Sequence, residues 1–174
     1  MKKSVLVIII GSLLSSQLLS QTNNYLSLFF DLHANQCIYY KGMKSIRGWG
    51  FNLGMLINTN QRLKPLLEIN SDFFSISDVL VFENGKELVK TKNASALLAG
   101  VMYPLNDRIY IKTLLGPCVT NSRVCLSIKP SFGYIMDRLQ RFSIQLSLTN
   151  VLNYDSARYE SLGYLNLAFI ARVI

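Results

Sequence analysis

Asp31, His33, Glu68, Asp72, Lys112, Lys129 and Arg172 stand at one parity of short segments whose alternate residues are bulky and apolar. Asp31 lies between Phe30 and Leu32, Glu68 between Leu67 and Ile69, and Arg172 between Ala171 and Val173. Charges of both signs on one enclosed face must pair, because an unpaired charge out of water is costly. The expected chemistry is therefore an internal polar network of Asp31, Glu68, Asp72, Lys112, Lys129 and Arg172. His33 is the only histidine, so it is the only imidazole base available. A lipid-modifying hydrolase or acyltransferase needs a nucleophile, a base and an orienting carboxylate. His33, Asp31 on its own face near an outer rim, and a serine such as Ser45 or Ser161 would make that set. No GxSxG motif selects a serine, so no catalytic residue is assigned and the chain is read as a non-enzyme. No CxxC and no histidine cluster occurs, so neither a metal nor a cofactor is expected.

The cysteines are Cys37, Cys118 and Cys125. An odd count in an exported chain leaves room for one disulfide and a spare thiol. Cys118 and Cys125 bracket a hairpin tip at facing positions, which allows a bridge between them. The alternative is that all three are small apolar fillers.

Segments that alternate with period two are half-buried β-strands. Eight are legible, over about 25–33, 46–57, 65–75, 94–103, 108–118, 124–136, 142–149 and 164–173. The aliphatic set is clean in Leu26, Leu28, Phe30 and Leu32, and again in Phe142, Ile144, Leu146 and Leu148. Gly48, Gly50 and Gly54 share the opposite parity of the second segment, where they would make room inside a narrow barrel for large side chains from opposite strands. Short connections after the second, fourth and sixth segments alternate with longer ones after the first, third and seventh; the one after the fifth, bracketed by Cys118 and Cys125, is short and breaks the rule. Asn84-Gly85 between apolar runs predicts a hairpin within the longest connection, 76–93. The pattern is that of an all-β, eight-stranded antiparallel up-and-down barrel.

Which face points outward follows from composition. The chain is 50% hydrophobic and only 16% charged, with nine Tyr and nine Phe, yet past the N-terminal segment no apolar run is long enough for a membrane helix. Bulky aliphatics on one face, with glycine and charge on the other, fit a transmembrane barrel with a polar interior. A soluble, lipocalin-like ligand-binding barrel is the alternative, and it would invert those faces. Lys2 and Lys3 followed by the apolar stretch from Val5 read as a signal peptide over 1–20, leaving a barrel domain over 21–174. No cysteine lies near the cut, so a lipid anchor is not expected. The net charge of +8 is scattered over turns and loops. It favours anionic lipid headgroups or surface polysaccharide over nucleic acid.

The Ser20-Gln21 end of the signal, Gly116-Pro117, the Leu148-Thr149-Asn150 stretch and the final alternating segment resemble the small outer-membrane β-barrel domain proteins of Bacteroidota. The resemblance implies an outer-membrane location in a Gram-negative-type envelope, lipid as the surroundings, and insertion by the barrel-assembly machinery. It carries no shared catalytic residues. That family usually ends in an aromatic residue, whereas this chain ends in Val173-Ile174, with Phe169 the nearest aromatic. A structural or surface-interaction role is expected, with loops 34–45 and 76–93 open to a surface ligand.

Overall fold

The computed structural model describes residues 26–39, 43, 45–59, 61–76, 80–83, 86–89, 91–120, 123–155 and 160–173. Residues 80–83, 86–89, 153, 155 and 160 are described in their backbone alone. The strands are β1 Leu26–Tyr39, β2 Arg47–Ile57, β3 Lys64–Phe74, β4 Leu80–Glu83, β5 Lys86–Val89, β6 Asn93–Pro104, β7 Ile109–Thr120, β8 Arg123–Ile135, β9 Phe142–Asp155 and β10 Glu160–Val173. Eight of them close a barrel in the ring order β1-β10-β9-β8-β7-β6-β3-β2, and β4 with β5 forms a separate two-stranded ribbon. Every pairing is antiparallel. The segment 1–20, expected to be a signal peptide, and Asn84-Gly85 lie outside the described residues; Glu83 pairs with Lys86 on either side of that dipeptide.

Parity decides which side chains fill the barrel. In β1 the even positions from Leu26 to Ala34 are exposed, while Ser27, Phe29, Asp31, His33 and Asn35 are buried. Outward positions carry Leu32, Trp49, Leu53, Ile69 and Leu167, each more than half exposed. A soluble barrel would bury these and show its polar residues to water. Here the faces are reversed, so the lipocalin-like alternative does not hold.

Strand lengths differ from those read in the sequence. β1 continues to Tyr39, so 34–39 are wall and only 40–46 connect β1 to β2. β9 reaches Asp155 and β10 begins at Glu160, which reduces the expected long seventh loop to 156–159. β1, β9 and β10 have 14 residues each, against 11 for β2 and β3. The wall is therefore tall at the β9–β10 hairpin. The β4–β5 ribbon leaves from between β3 and β6, on the far side of the ring.

The glycines take neighbours that the sequence did not specify. Phe29 is the register partner of Gly54, and its ring occupies the space a Cβ on Gly54 would need. Tyr110 lies over its partner Gly133 in the same way. The rings come from the adjacent strand rather than from across the barrel. Covering a strand glycine with a cross-strand aromatic restores the packing that the missing side chain gives up.

The interior is layered. Phe29, Leu56, Leu66, Met102, Tyr110 and Ile170 close the end that carries the short turns 58–63, 105–108 and 136–141. Cys37, Met43, Phe74, Val151, Tyr154 and Leu162 close the other end. Asp31, His33, Glu68, Asp72, Lys112 and Lys129 occupy the middle.

Candidate functional site

Asp72 on β3 is the hub of the middle layer and is fully buried. Its Oδ1 accepts from Asn35 Nδ2 at 2.6 Å and meets His33 Nε2 at 2.7 Å. Its Oδ2 accepts from Tyr164 OH at 2.7 Å and from Asn70 Nδ2. His33 Nδ1 lies 2.6 Å from Asp31 Oδ1, and Asp31 Oδ2 accepts from Asn52 Nδ2 at 2.9 Å. Ionised carboxylates only accept hydrogen bonds. A ring with a carboxylate on each nitrogen is best satisfied as an imidazolium, donating on both sides.

Glu68, two residues before Asn70 on β3, gathers the lysines. Lys112 Nζ on β7 contacts its Oε1, and Lys129 Nζ on β8 lies 3.4 Å from its Oε2. Lys129 also donates to Asn70 Oδ1 at 3.2 Å, which ties the lysine cluster to the Asp72 cluster. Lys112 sits 5.3 Å from the centre of the Phe29 ring, a cation–π contact that joins the charged layer to the apolar one beneath. Asn166 donates to Asn35 at 2.6 Å, and Thr149 donates to Asn166 at 2.7 Å. The result is one connected network with members on every barrel strand except β6. Three carboxylates, Asp31, Asp72 and Glu68, thus face the ammonium groups of Lys112 and Lys129 and the ring of His33.

Arg172 stands apart from that network. It is half-buried near the short-turn end, and with Tyr110 and Lys112 it lines a cavity of about 20 Å³. That is room for a single water. No ion pair joins Arg172 to a carboxylate among the described residues.

The position of His33 is a correction. With β1 running to Tyr39, His33 is in mid-wall beside Gly50 and Ala168, not at an outer rim. Both nitrogens are engaged by carboxylates, and Ser45 is exposed on the loop beyond β1. No serine–histidine pair forms among the described residues, and the enzyme alternative loses its base. No group of three metal-ligating side chains is found among them either.

Cys118 and Cys125 are direct register partners across β7 and β8, and both thiols are free. Cys37 is buried on β1.

Several members of the site stood on the inward face in the sequence without being assigned to the network. Asn52, Asn70, Tyr164, Asn166 and Thr149 share the inward parity, and that parity was their only signal. Asn35 was hidden in a segment read as loop. Met43, between β1 and β2, is fully buried; its sulfur accepts from the Thr91 amide at 3.5 Å and from Tyr154 OH at 3.7 Å, which seals the mouth.

No protein-family model matches the chain, and no curated protein matches it. Solved structures do. The outer-membrane protein Ail of Yersinia pestis in a phospholipid bilayer nanodisc matches with TM-score 0.55 at 16% identity, over 84% of this chain and 98% of that one. The crystal structure of Ail, the attachment invasion locus protein of Yersinia pestis, matches with TM-score 0.50 at 15% identity, over 84% of this chain and 95% of that one. Its complex with the heparin analogue sucrose octasulfate matches with TM-score 0.49 at 16% identity, over 84% and 96%. What is shared at this identity is the fold: a closed eight-stranded antiparallel barrel.

Proposed function

We propose that this barrel is exported, with residues 1–20 as its signal and 21–174 as its domain, and that it sits in the outer membrane of a Gram-negative-type bacterium. Its interior is structural, and it acts through the rim opposite the short turns. The outward apolar belt supports the membrane placement. One end of the belt is edged by Trp49 and Phe73, 4.9 Å apart, and the other by Tyr103, Tyr134 and Phe142. Aromatic girdles of this kind mark the two membrane interfaces of such barrels. The fold shared with a protein named for attachment is in keeping with a surface role. A place among the Bacteroidota barrels, and delivery by the barrel-assembly machinery, rest on the sequence patterns alone.

The observation that carries the surface role is the sealed lumen. An eight-stranded interior is just filled by side chains. Here the polar network fills its middle and apolar layers close both ends, so the described interior offers no channel for transport. The engagement of both His33 nitrogens argues against catalysis. What remains is the rim, where the tall β9–β10 hairpin and the β4–β5 ribbon rise from opposite sides. Of the loops expected to meet a ligand, the first contracts to 40–46, and the second keeps its length as 75–92 with its ribbon.

Deleting 79–88 tests this reading. The variant should still fold in detergent, migrating faster unheated than boiled, while adherence of cells displaying it to glycan- or protein-coated surfaces falls to background. Unchanged adherence, or steady ion conductance across a planar bilayer, would overturn it.

A further inference from the structure

The short-turn rim is strongly basic. Arg62, Lys64, Arg108, Arg138 and Arg141 lie in or beside its turns, with Asp107 and Asp137 the acidic residues among the described ones there. Two of the turns repeat one arrangement. Arg62, just before β3, places Nη1 3.4 Å from the hydroxyl of Tyr103 on the neighbouring strand β6. Arg108, just before β7, places Nη1 3.1 Å from the hydroxyl of Tyr134 on the neighbouring strand β8. In the third turn Arg141 lies 5.9 Å from the centre of the Phe142 ring. Each arginine is thus held on an outward aromatic at the lower edge of the apolar belt.

The chemistry of the arginine–tyrosine pair is specific. The phenol oxygen accepts from the guanidinium, so its own proton is free to be donated. The guanidinium keeps further N–H groups in a planar fork that matches phosphate oxygens. A positive fork and a phenol O–H therefore stand side by side where apolar surface gives way to water. We propose that the Arg62–Tyr103 and Arg108–Tyr134 pairs are binding sites for phosphate groups of anionic phospholipids in the inner, periplasm-facing leaflet. This rests on the membrane placement above. Phospholipid is chosen over a soluble phosphate because each pair borders the apolar belt, so a headgroup held there leaves its acyl chains against outward residues such as Val101 and Phe132, both exposed.

The test uses the mature chain folded into phosphatidylcholine vesicles containing spin-labelled phosphatidylglycerol or spin-labelled phosphatidylcholine at trace level. Folding is scored separately by the mobility difference between unheated and boiled samples. The folded protein should hold the glycerol lipid about fivefold more strongly, given the usual attraction of an anionic surface for each nearby Lys or Arg. The doublet Arg62→Gln/Arg108→Gln should abolish the preference, and Tyr103→Phe/Tyr134→Phe, which keeps both rings, should weaken it. Arg47→Gln/Arg123→Gln at the opposite rim should leave it intact, and millimolar inorganic phosphate should not compete it away. A folded protein with no preference, or one equally sensitive to the opposite-rim doublet, overturns the proposal alone. Competition by inorganic phosphate would make this a soluble-anion site and overturn its assignment to lipid. Failure of the wild-type chain to fold in vesicles overturns the membrane placement, and the lipid site falls with it.

Discussion

Tyr164 on β10 donates its phenol proton to Asp72 on β3 at 2.7 Å, joining positions that lie 92 apart in sequence and three steps apart around the ring. The bond draws the last strand of the barrel into the network that the early strands begin. Tyr164→Phe keeps the ring, which meets Phe74 edge-on at 5.2 Å, and removes only the donor. A hydrogen bond to a charged group contributes about 1.5–3 kcal/mol. Urea unfolding from vesicles should show a loss of that size.

Glu68→Gln should be more damaging. It leaves Lys112 and Lys129 buried with no carboxylate between them. Removing one partner of a buried ion pair typically costs about 3–5 kcal/mol. Adding Lys112→Met should recover part of the loss, because only one ammonium then remains unmatched. A double variant no better than the single would mean that the lysines do not depend on Glu68.

Gly54→Ala puts a methyl group into the ring of Phe29. The expected cost is about 1–3 kcal/mol from overpacking. Phe29→Leu in the same chain should lift the clash, so the two changes together should cost less than the sum of each alone. Simple additivity would show that the ring moves aside without strain.

Cys118 and Cys125 face each other across the ladder. Opposed residues in an antiparallel pair have Cα atoms about 4.5–5.5 Å apart, within the range a disulfide spans. Mild oxidation of the folded chain should therefore give a 118–125 linkage in the peptide map and leave Cys37 as the thiol. A linkage involving Cys37, or none, would favour the role of apolar filler for the pair.

Asp137 holds the last short turn. Its Oδ1 accepts from the Phe142 amide at 2.8 Å, and its Oδ2 lies 3.3 Å from Arg141 Nε. Desolvation pushes its carboxyl up, but the Phe142 amide and the Arg141 guanidinium outweigh that and hold it below the ordinary carboxylate value. A depressed carboxyl stabilises the fold fully above the unfolded value, and the gain is lost as pH falls through the folded one. Asp137→Asn should flatten the fall in unfolding midpoint below about pH 4 and leave the slope at neutral pH unchanged.

Strand parity was legible in most segments, because outward positions in the apolar belt are mostly bulky; it was weakest in β6, where Leu98 and Met102 are apolar and point inward. Glu68, Asp72, Lys112 and Lys129 followed from it. The strand ends were not legible. Above the belt the outward face has no reason to be aliphatic, so Gln36, Arg47 and Ser95 interrupt the alternation while backbone pairing continues past them. For that reason 34–39 read as loop and His33 as a rim residue. The partners within the lumen were equally hidden. Which asparagine meets which carboxylate depends on the stagger of strands far apart in sequence, and parity carries no stagger.

The seam between β1 and β10 gives the molecule a test of its own completeness. β1 pairs with β10 from Leu28↔Val173 to Tyr39↔Gly163, and Asn166 reaches across that seam to Asn35. A nascent chain still lacking β10 has a raw edge on β1 and an Asp72 without its phenol donor. Neither defect can be repaired from within the first nine strands. Closure of the wall and completion of the Asp72 shell therefore depend on the same last strand.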